Sequence, residues 1–365
     1  MLSRRFRIQD VVPGMVLGKH AINAAGRVVL QEGTVLSEKL IARLQNWNIY
    51  AVDISEEQEI STPKTVPALV SVFEKPVVSK LNKKFSAEYE DSVKEIETAF
   101  EQIRYMKVVP LYKMRELADR SLREFSLTPG AINLLYMLAG DGNRLAQHSL
   151  NVAVIAGVLG RWLGLSAKTL QDLMLSALLH DVGKLNLSQE IINKKEDELT
   201  ASEKAAIQNH TVEGYRLLKR NAYKLPFGVL AGVLQHHEWE DGTGYPLQLT
   251  GSKIHLFAQI IRVADMYANM TTGDDQGNKM TPFEAVEVMV RQVFETLDTT
   301  VSSVFINNIR EQFIGNIVRL SDGREAVVVY LSKLISERPV VHTQDGEFID
   351  LEQVRDIYIT EVVNA

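Results

Sequence analysis

Residues 126 to about 310 form an almost unbroken succession of helical patterns, and no other feature constrains the fold as strongly. SLNVAVIAGVLGRWLGL, KTLQDLMLSALLHDVGKL, ASEKAAIQNHTVEGYRLLKR, FGVLAGVLQHHEW, LFAQIIRVADMYANM and TPFEAVEVMVRQVFETL each space apolar residues three and four apart, with short turn-rich pieces between them. Each segment has one apolar face to bury, and consecutive segments of this kind bury those faces against one another. The expectation is a helical bundle.

The flanks read differently. Residues 1–53 show weak alternation, a Pro13-Gly14 turn and one helical stretch, SEKLIARLQNWNI, which predicts a small α+β module. Residues 54–125 read as a linker, with Pro63, Pro67 and Pro76, followed by an amphipathic helix. In that helix Phe85, Tyr89, Val93, Ile96, Phe100 and Ile103 are spaced 4, 4, 3, 4 and 3. Such a seam fits either packing on the next domain or a short coiled coil that joins two chains through residues 81–106. Residues 311–365 are β-rich, with Asp-Gly turns at 322–323 and 345–346, and predict a small β module. The fold class expected is therefore mainly α: an all-helical bundle over 126–310, flanked by small N-terminal α+β and C-terminal β modules.

Composition removes several function classes. There are no cysteines, which excludes disulfides, thiolate metal sites and cysteine nucleophiles. A net charge of -6 argues against a broad surface for polymeric nucleic acid. No run approaches the roughly 18 apolar residues of a membrane span, and MLSRRFRIQD lacks the apolar stretch of a signal peptide. A soluble, cytoplasmic protein is expected.

Five of the eight histidines fall between positions 148 and 237: His148, His180, His210, His236 and His237. His180-Asp181 and His236-His237 end apolar helical segments, and Asp265 lies within a third. A single His or Asp on such a helix is ordinarily a hydrogen-bonded core residue. Several of them together are costly to bury unless they find one another. Imidazoles and carboxylates without thiols suit iron, manganese, nickel or zinc, and a bridging carboxylate suits a pair of ions.

The series His148, His180-Asp181, His210, His236-His237 and Asp265 resembles the HD superfamily of metal-dependent phosphohydrolases. HDVGK at 180–184, HTVEG at 210–214 and HHEWEDGTGYP at 236–246 narrow the resemblance to the HD-GYP family, hydrolases of cyclic di-GMP. The resemblance covers roughly residues 126–300. It implies an HD-type bundle with a dinuclear centre of two divalent ions, iron or manganese, in which Asp181 bridges. His148, His180 and Asp265 would serve one ion, and His210, His236 and His237 the other. Asp181 and Lys184 would be the catalytic residues, with Lys184 reaching a phosphate oxygen. Tyr245, in the Gly244-Tyr245-Pro246 loop, joins the substrate side. The resemblance also implies diguanylate cyclases as partners for that loop.

The chain departs from the family pattern in two places. Members with a third metal carry a glutamate one turn before the first histidine, where this chain has Arg144. The arginine-bearing run that follows the last metal aspartate reads MYANMTTGDDQGNKMTPFEA here, leaving Lys279, Arg262 or Lys253 to hold the substrate. Weaker binding of cyclic di-GMP, another nucleotide substrate, or a non-catalytic nucleotide sensor that recruits partners all remain open on this reading. Arg144 shares a helix face with His148 and is expected to occupy the third-metal position as a fixed cation that binds substrate phosphate. Elemental analysis is expected to find two ions per chain, and Arg144→Glu to admit a third; three in the wild type would overturn this.

Overall fold

The computed structural model describes residues 78–138, 144–192, 194, 196–221, 225–272, 279–293, 296–331 and 338–364, and parts of 3–55. The chain divides into two compact units, 1–69 and 70–365. The first contains β1 (Ser3–Arg7), β2 (Ala21–Ile22), β3 (Val28–Leu30) and β4 (Ala51–Ser55), paired antiparallel as β1 with β4 and β2 with β3. Ile8, Leu17, Leu36, Leu44, Val52 and Ile54 make its small apolar core. Ile41 and Leu44 are helical, and the rest of the helix expected around them lies outside the described residues.

The second unit begins with α1 (Val78–Met106), α2 (Leu111–Ser121), α3 (Ala131–Met137), α4 (Arg144–Trp162) and α5 (Ala167–Leu179). It continues through α6 (Gln189–Ile192), α7 (Ala201–Gln208), α8 (His210–Asn221) and α9 (Phe227–Gln235). α10 (Leu256–Thr272), α11 (Pro282–Val293) and α12 (Thr299–Glu311) complete the bundle. Local signals start these helices where the site needs them. Ser166 Oγ accepts from the Thr169 amide at 3.2 Å to begin α5, and Thr200 with Glu203 forms a reciprocal capping box at α7. α4 packs on α5 and α10, and α9 packs on α5, α8 and α10. Leu150, Ala153, Leu173, Leu178, Val233 and Ile261 belong to the single apolar core these helices share.

The long α1 contributes to that same core. Its seam residues Phe85, Tyr89, Val93, Ile96, Phe100 and Ile103 are all at most 7% exposed, so the seam is buried within the chain. Tyr89 donates to Asn151 Oδ1 of α4 at 2.8 Å, and Phe85 meets Phe125 edge-on. Of the two readings of 81–106, packing within the chain is the one the seam follows, because α4 and its neighbours cover the face that carries it.

The C-terminal strands β5 (Ile317–Leu320), β6 (Glu325–Tyr330), β7 (Val340–Thr343), β8 (Phe348–Asp350) and β9 (Ile359–Asn364) form one antiparallel sheet, ordered β8-β7-β6-β5-β9. The two Asp-Gly turns fall in the β5–β6 and β7–β8 connections. Tyr136 of α3 inserts into the apolar core of this sheet and ties it to the bundle. Among the described residues, no helix is long and apolar enough to cross a membrane. Ile96→Ala is expected to cost about 2–5 kcal/mol of unfolding free energy in chemical denaturation. A seam internal to the chain also predicts that this loss leaves the oligomeric state unchanged in sedimentation.

Candidate metal centre

Five helices deliver the expected donors to one place. His148 comes from α4, His180-Asp181 follows the last residue of α5, and His210 opens α8. His236-His237 follows α9, and Asp265 projects from α10. Directly after Asp181 the chain turns through a short 3-10 segment, Val182–Asn186. A Cβ on Gly183 would run into the carbonyl of His210 and the amide of Gly214. Only glycine lets these two motifs lie backbone against backbone, and that approach sets the distance between Asp181 and His210.

Asp181 is the centre of the arrangement, and its two oxygens face different ways. Oδ2 lies 3.3 Å from His180 Nε2 and 3.7 Å from His148 Nε2. Oδ1 lies 3.1 Å from His210 Nε2 and 3.7 Å from His236 Nε2. Asp265 Oδ1 closes the first side at 3.0 Å from His148 Nε2 and 3.9 Å from His180 Nε2. His237 joins the second group, where one donor atom from each of Asp181, His210, His236 and His237 lies within 4.8 Å of the others.

Three of the imidazoles are aimed by one device. The Nδ1–H of His180 donates to Ala177 O at 2.7 Å, that of His236 to Val233 O at 2.9 Å, and that of His210 to Ile207 O at 2.5 Å. Each acceptor lies three residues back, in the last turn of the preceding helix, where carbonyls lack helical partners. The bond assigns the proton to Nδ1 and turns the Nε2 lone pair inward.

This donor set fits divalent cations. His180 Nε2 and Asp181 Oδ1 are buried without a hydrogen-bond partner among the described residues. His210 Nε2 and His236 Nε2 face each other at 3.2 Å. Lone pairs so crowded repel unless a positive charge lies among them. The protonation states of Asp181, Asp265, His236 and His237 agree, with His180 the exception. Burial opposes ionisation of Asp181, but His180 and Lys184 outweigh it and hold the carboxyl well below its usual range. Asp265 is likewise held low against burial, through His148 and His180. Burial lowers His236 to about 4, and lowers His237 well below its ordinary value with His236 adding to the effect. His180 is raised instead, because Asp181 and Asp265 overcome its burial. Ionised carboxylates and neutral imidazoles are the forms that ligate metals.

The exposure left around this centre marks its open side. Lys184 keeps 29% of its side chain exposed, His148 16% and Arg262 15%, against 1% or less for His180, Asp181, His210 and His236. Lys184 donates to Asp181 Oδ2 at 2.6 Å. Burial works against its charge, yet Asp181 and Asp265 raise its pKa and keep it cationic. Tyr245 stacks on His237, with ring centroids 4.7 Å apart.

Other residues at this site were not singled out from the sequence. Glu238 is 3% exposed and accepts the amides of Leu247 and Leu249 at 2.6 and 2.8 Å, folding the Tyr245 loop back under His237. Its place directly after the two histidines was the available signal. Asn269, one turn beyond Asp265, donates to Asp265 Oδ1 at 2.9 Å. Lys279, expected on the substrate side, is engaged elsewhere. Its ammonium donates to Tyr136 O at 2.6 Å and lies 3.7 Å from the centre of the Tyr136 ring, at the C-terminal sheet. The side chain of Arg144, and residues Asp274 and Asp275, lie outside the described residues.

Because Asp181 faces both donor groups, Asp181→Ala is expected to weaken metal binding beyond the roughly 10–100-fold that outer-shell changes produce. Elemental analysis of matched preparations should show a smaller loss in His236→Ala. Equal metal content in Asp181→Ala and the wild type would overturn the central role of Asp181.

Comparison with known proteins bears on the same residues. Residues 133–301 match the family model described as HD domain. A 3'3'-cGAMP-specific phosphodiesterase of Vibrio cholerae is 33% identical over 171 residues, which is 46% of this chain and 38% of that protein. A cyclic di-GMP phosphodiesterase of Pseudomonas aeruginosa is 28% identical over 230 residues, 63% of this chain and 55% of that one. The chain thus spans about half or less of the length of these two relatives. An HDG"Y"P protein from Bdellovibrio bacteriovorus has the same fold, with a TM-score of 0.52 at 16% identity, covering 85% of this chain and 100% of that one. With an HD-domain match over 133–301 and complete HD and Gly-Tyr-Pro motifs, the chain is similar to the HD-GYP proteins of the HD superfamily.

Proposed function

We propose that this chain is a metal-dependent phosphodiesterase that opens cyclic di-GMP to linear pGpG, with further cleavage to GMP. The observation that carries the reading is Asp181, a buried carboxylate whose two oxygens face two separate sets of imidazoles. In this reading the site would hold two divalent ions, iron or manganese, with Asp181 serving both. His148, His180 and Asp265 would hold one, and His210, His236 and His237 the other. Bound there, such ions would supply an activated water and screen charge on the phosphoryl oxygens.

The protein's own part is positional and electrostatic. Lys184 stays cationic and partly open to solvent, placed to meet a phosphoryl oxygen as negative charge accumulates there. Backbone carbonyls hold three imidazoles in the tautomer that ligates, so no reorganisation is needed when the site fills. Tyr245, fixed against His237, forms one wall of the entrance. The exposed outer edge of its loop, at Asp241, Leu247 and Gln248, is the surface offered to a diguanylate cyclase partner in the cytoplasm.

A second substrate, 3'3'-cGAMP, is favoured by the similarity to the Vibrio cholerae protein. Protein purified anaerobically and loaded with iron or manganese is expected to convert cyclic di-GMP to pGpG, followed by chromatography. Turnover of 3'3'-cGAMP alone would move the assignment to that substrate. If both nucleotides stay intact while a control enzyme degrades them, the phosphodiesterase reading fails.

A further inference from the structure

Arg262 lies three residues before Asp265 on α10, so the two side chains leave the same helix face. A buried guanidinium ordinarily meets a carboxylate through two short parallel bonds. Arg262 does not. Its Nη1 is 3.7 Å from Asp265 Oδ2, beyond hydrogen-bond range. Its Nε is buried and has no hydrogen-bond partner among the described residues. The other oxygen of Asp265 is occupied by His148 at 3.0 Å and Asn269 at 2.9 Å.

What holds Arg262 is an aromatic face. Its guanidinium carbon sits 4.2 Å from the centre of the Trp239 ring, and Trp239 follows the His236-His237-Glu238 segment. Stacking fixes the plane of the guanidinium and adds a cation–π attraction without consuming any N–H donor. The result is a rigid cation with unspent donors, 15% exposed on the open side of the donor cluster. A lysine could not be held this way, because an ammonium has no plane to stack. The other two bases available near this run lie elsewhere: Lys279 is engaged by Tyr136, and Lys253 is exposed on the Gly251–Lys253 turn.

The geometry points to Arg262, clamped by Trp239, as the residue that grips a non-bridging oxygen of the substrate's phosphodiester beside the metal centre. The assignment rests on the phosphodiesterase reading for its substrate, but requires only an anionic phosphoryl ligand. The competing role is structural, in which Arg262 merely compensates the charge of Asp265.

The test uses the full chain loaded with manganese, as wild type, Arg262→Gln, Arg262→Lys and Trp239→Leu. Metal content is measured by elemental analysis, inorganic phosphate binding by calorimetry, and KM and kcat with cyclic di-GMP. Arg262→Gln is expected to keep its metal and to lose phosphate affinity by roughly tenfold to a hundredfold, the range for a lost charged hydrogen bond. Its KM should rise more than its kcat falls. Arg262→Lys and Trp239→Leu should fall between it and the wild type. Unchanged phosphate affinity in Arg262→Gln, or loss of metal together with phosphate, would overturn the proposal in favour of the structural role. If Arg262→Gln does not fold, the Arg262→Lys variant decides, since wild-type phosphate affinity there is equally fatal. Arg262-dependent phosphate binding in a wild type that leaves cyclic dinucleotides intact would sink the substrate reading alone. Normal turnover unaffected by Arg262→Gln would sink this inference alone.

Discussion

Everything at this centre depends on one carboxylate having two open sides. Asp181 is 1% exposed, yet one oxygen faces His148 and His180 while the other faces His210 and His236. An isolated carboxylate in such surroundings would be costly to ionise. Here His180 and Lys184 hold it charged. The bundle is organised to bring that about. α5 ends one residue before His180, α8 begins at His210, and α9 ends one residue before His236, so three helix termini meet around a single side chain.

Helix termini serve this purpose better than helix middles. A carbonyl in the last turn lacks the regular bond from four residues on, and it takes the Nδ1–H of the histidine three residues on. One bond thereby gives a last-turn carbonyl a side-chain partner and fixes the imidazole tautomer. The apolar residues before each histidine anchor the helix that carries the carbonyl, so core packing sets the aim of the donors. Changes to that packing are transmitted to the site through the backbone, with no polar contact needed.

The elements most legible in the sequence were those coded by local pattern. The 3-and-4 spacing gave the bundle helices, and the Asp-Gly pairs gave both C-terminal hairpin turns, because each signal is confined to a few neighbouring residues. The seam of α1 was visible, but not what covered it. Periodicity identifies an apolar face and is silent on whether Asn151 and Phe125 of the same chain meet it, or a second copy does. The donors were legible because motif order fixes them. Their surroundings were not. Trp239 and Arg262 are 23 residues apart in separate segments, and Tyr136 and Lys279 are farther apart still, so no local pattern could show that one cation faces the centre and the other is captured by the C-terminal sheet.

Local charge reconciles an acidic chain with the anionic substrate proposed for it. The whole molecule carries a net charge of -6, which repels a dinucleotide at long range. Around the donors, however, the carboxylates of Asp181 and Asp265 are matched by the fixed cations of Lys184 and Arg262. Glu238 adds a third carboxylate, whose oxygens are turned away to the amides of Leu247 and Leu249. Two divalent ions held by the donors would outweigh the one carboxylate left unmatched and leave the centre positive. A phosphodiester is the natural complement to that excess. At a Debye length near 8 Å the repulsion of the distant acidic surface is largely screened, while contacts inside the buried centre are not. On the proposed function, selection for an anionic ligand would reside in the few residues around Asp181, with the rest of the surface free to be acidic.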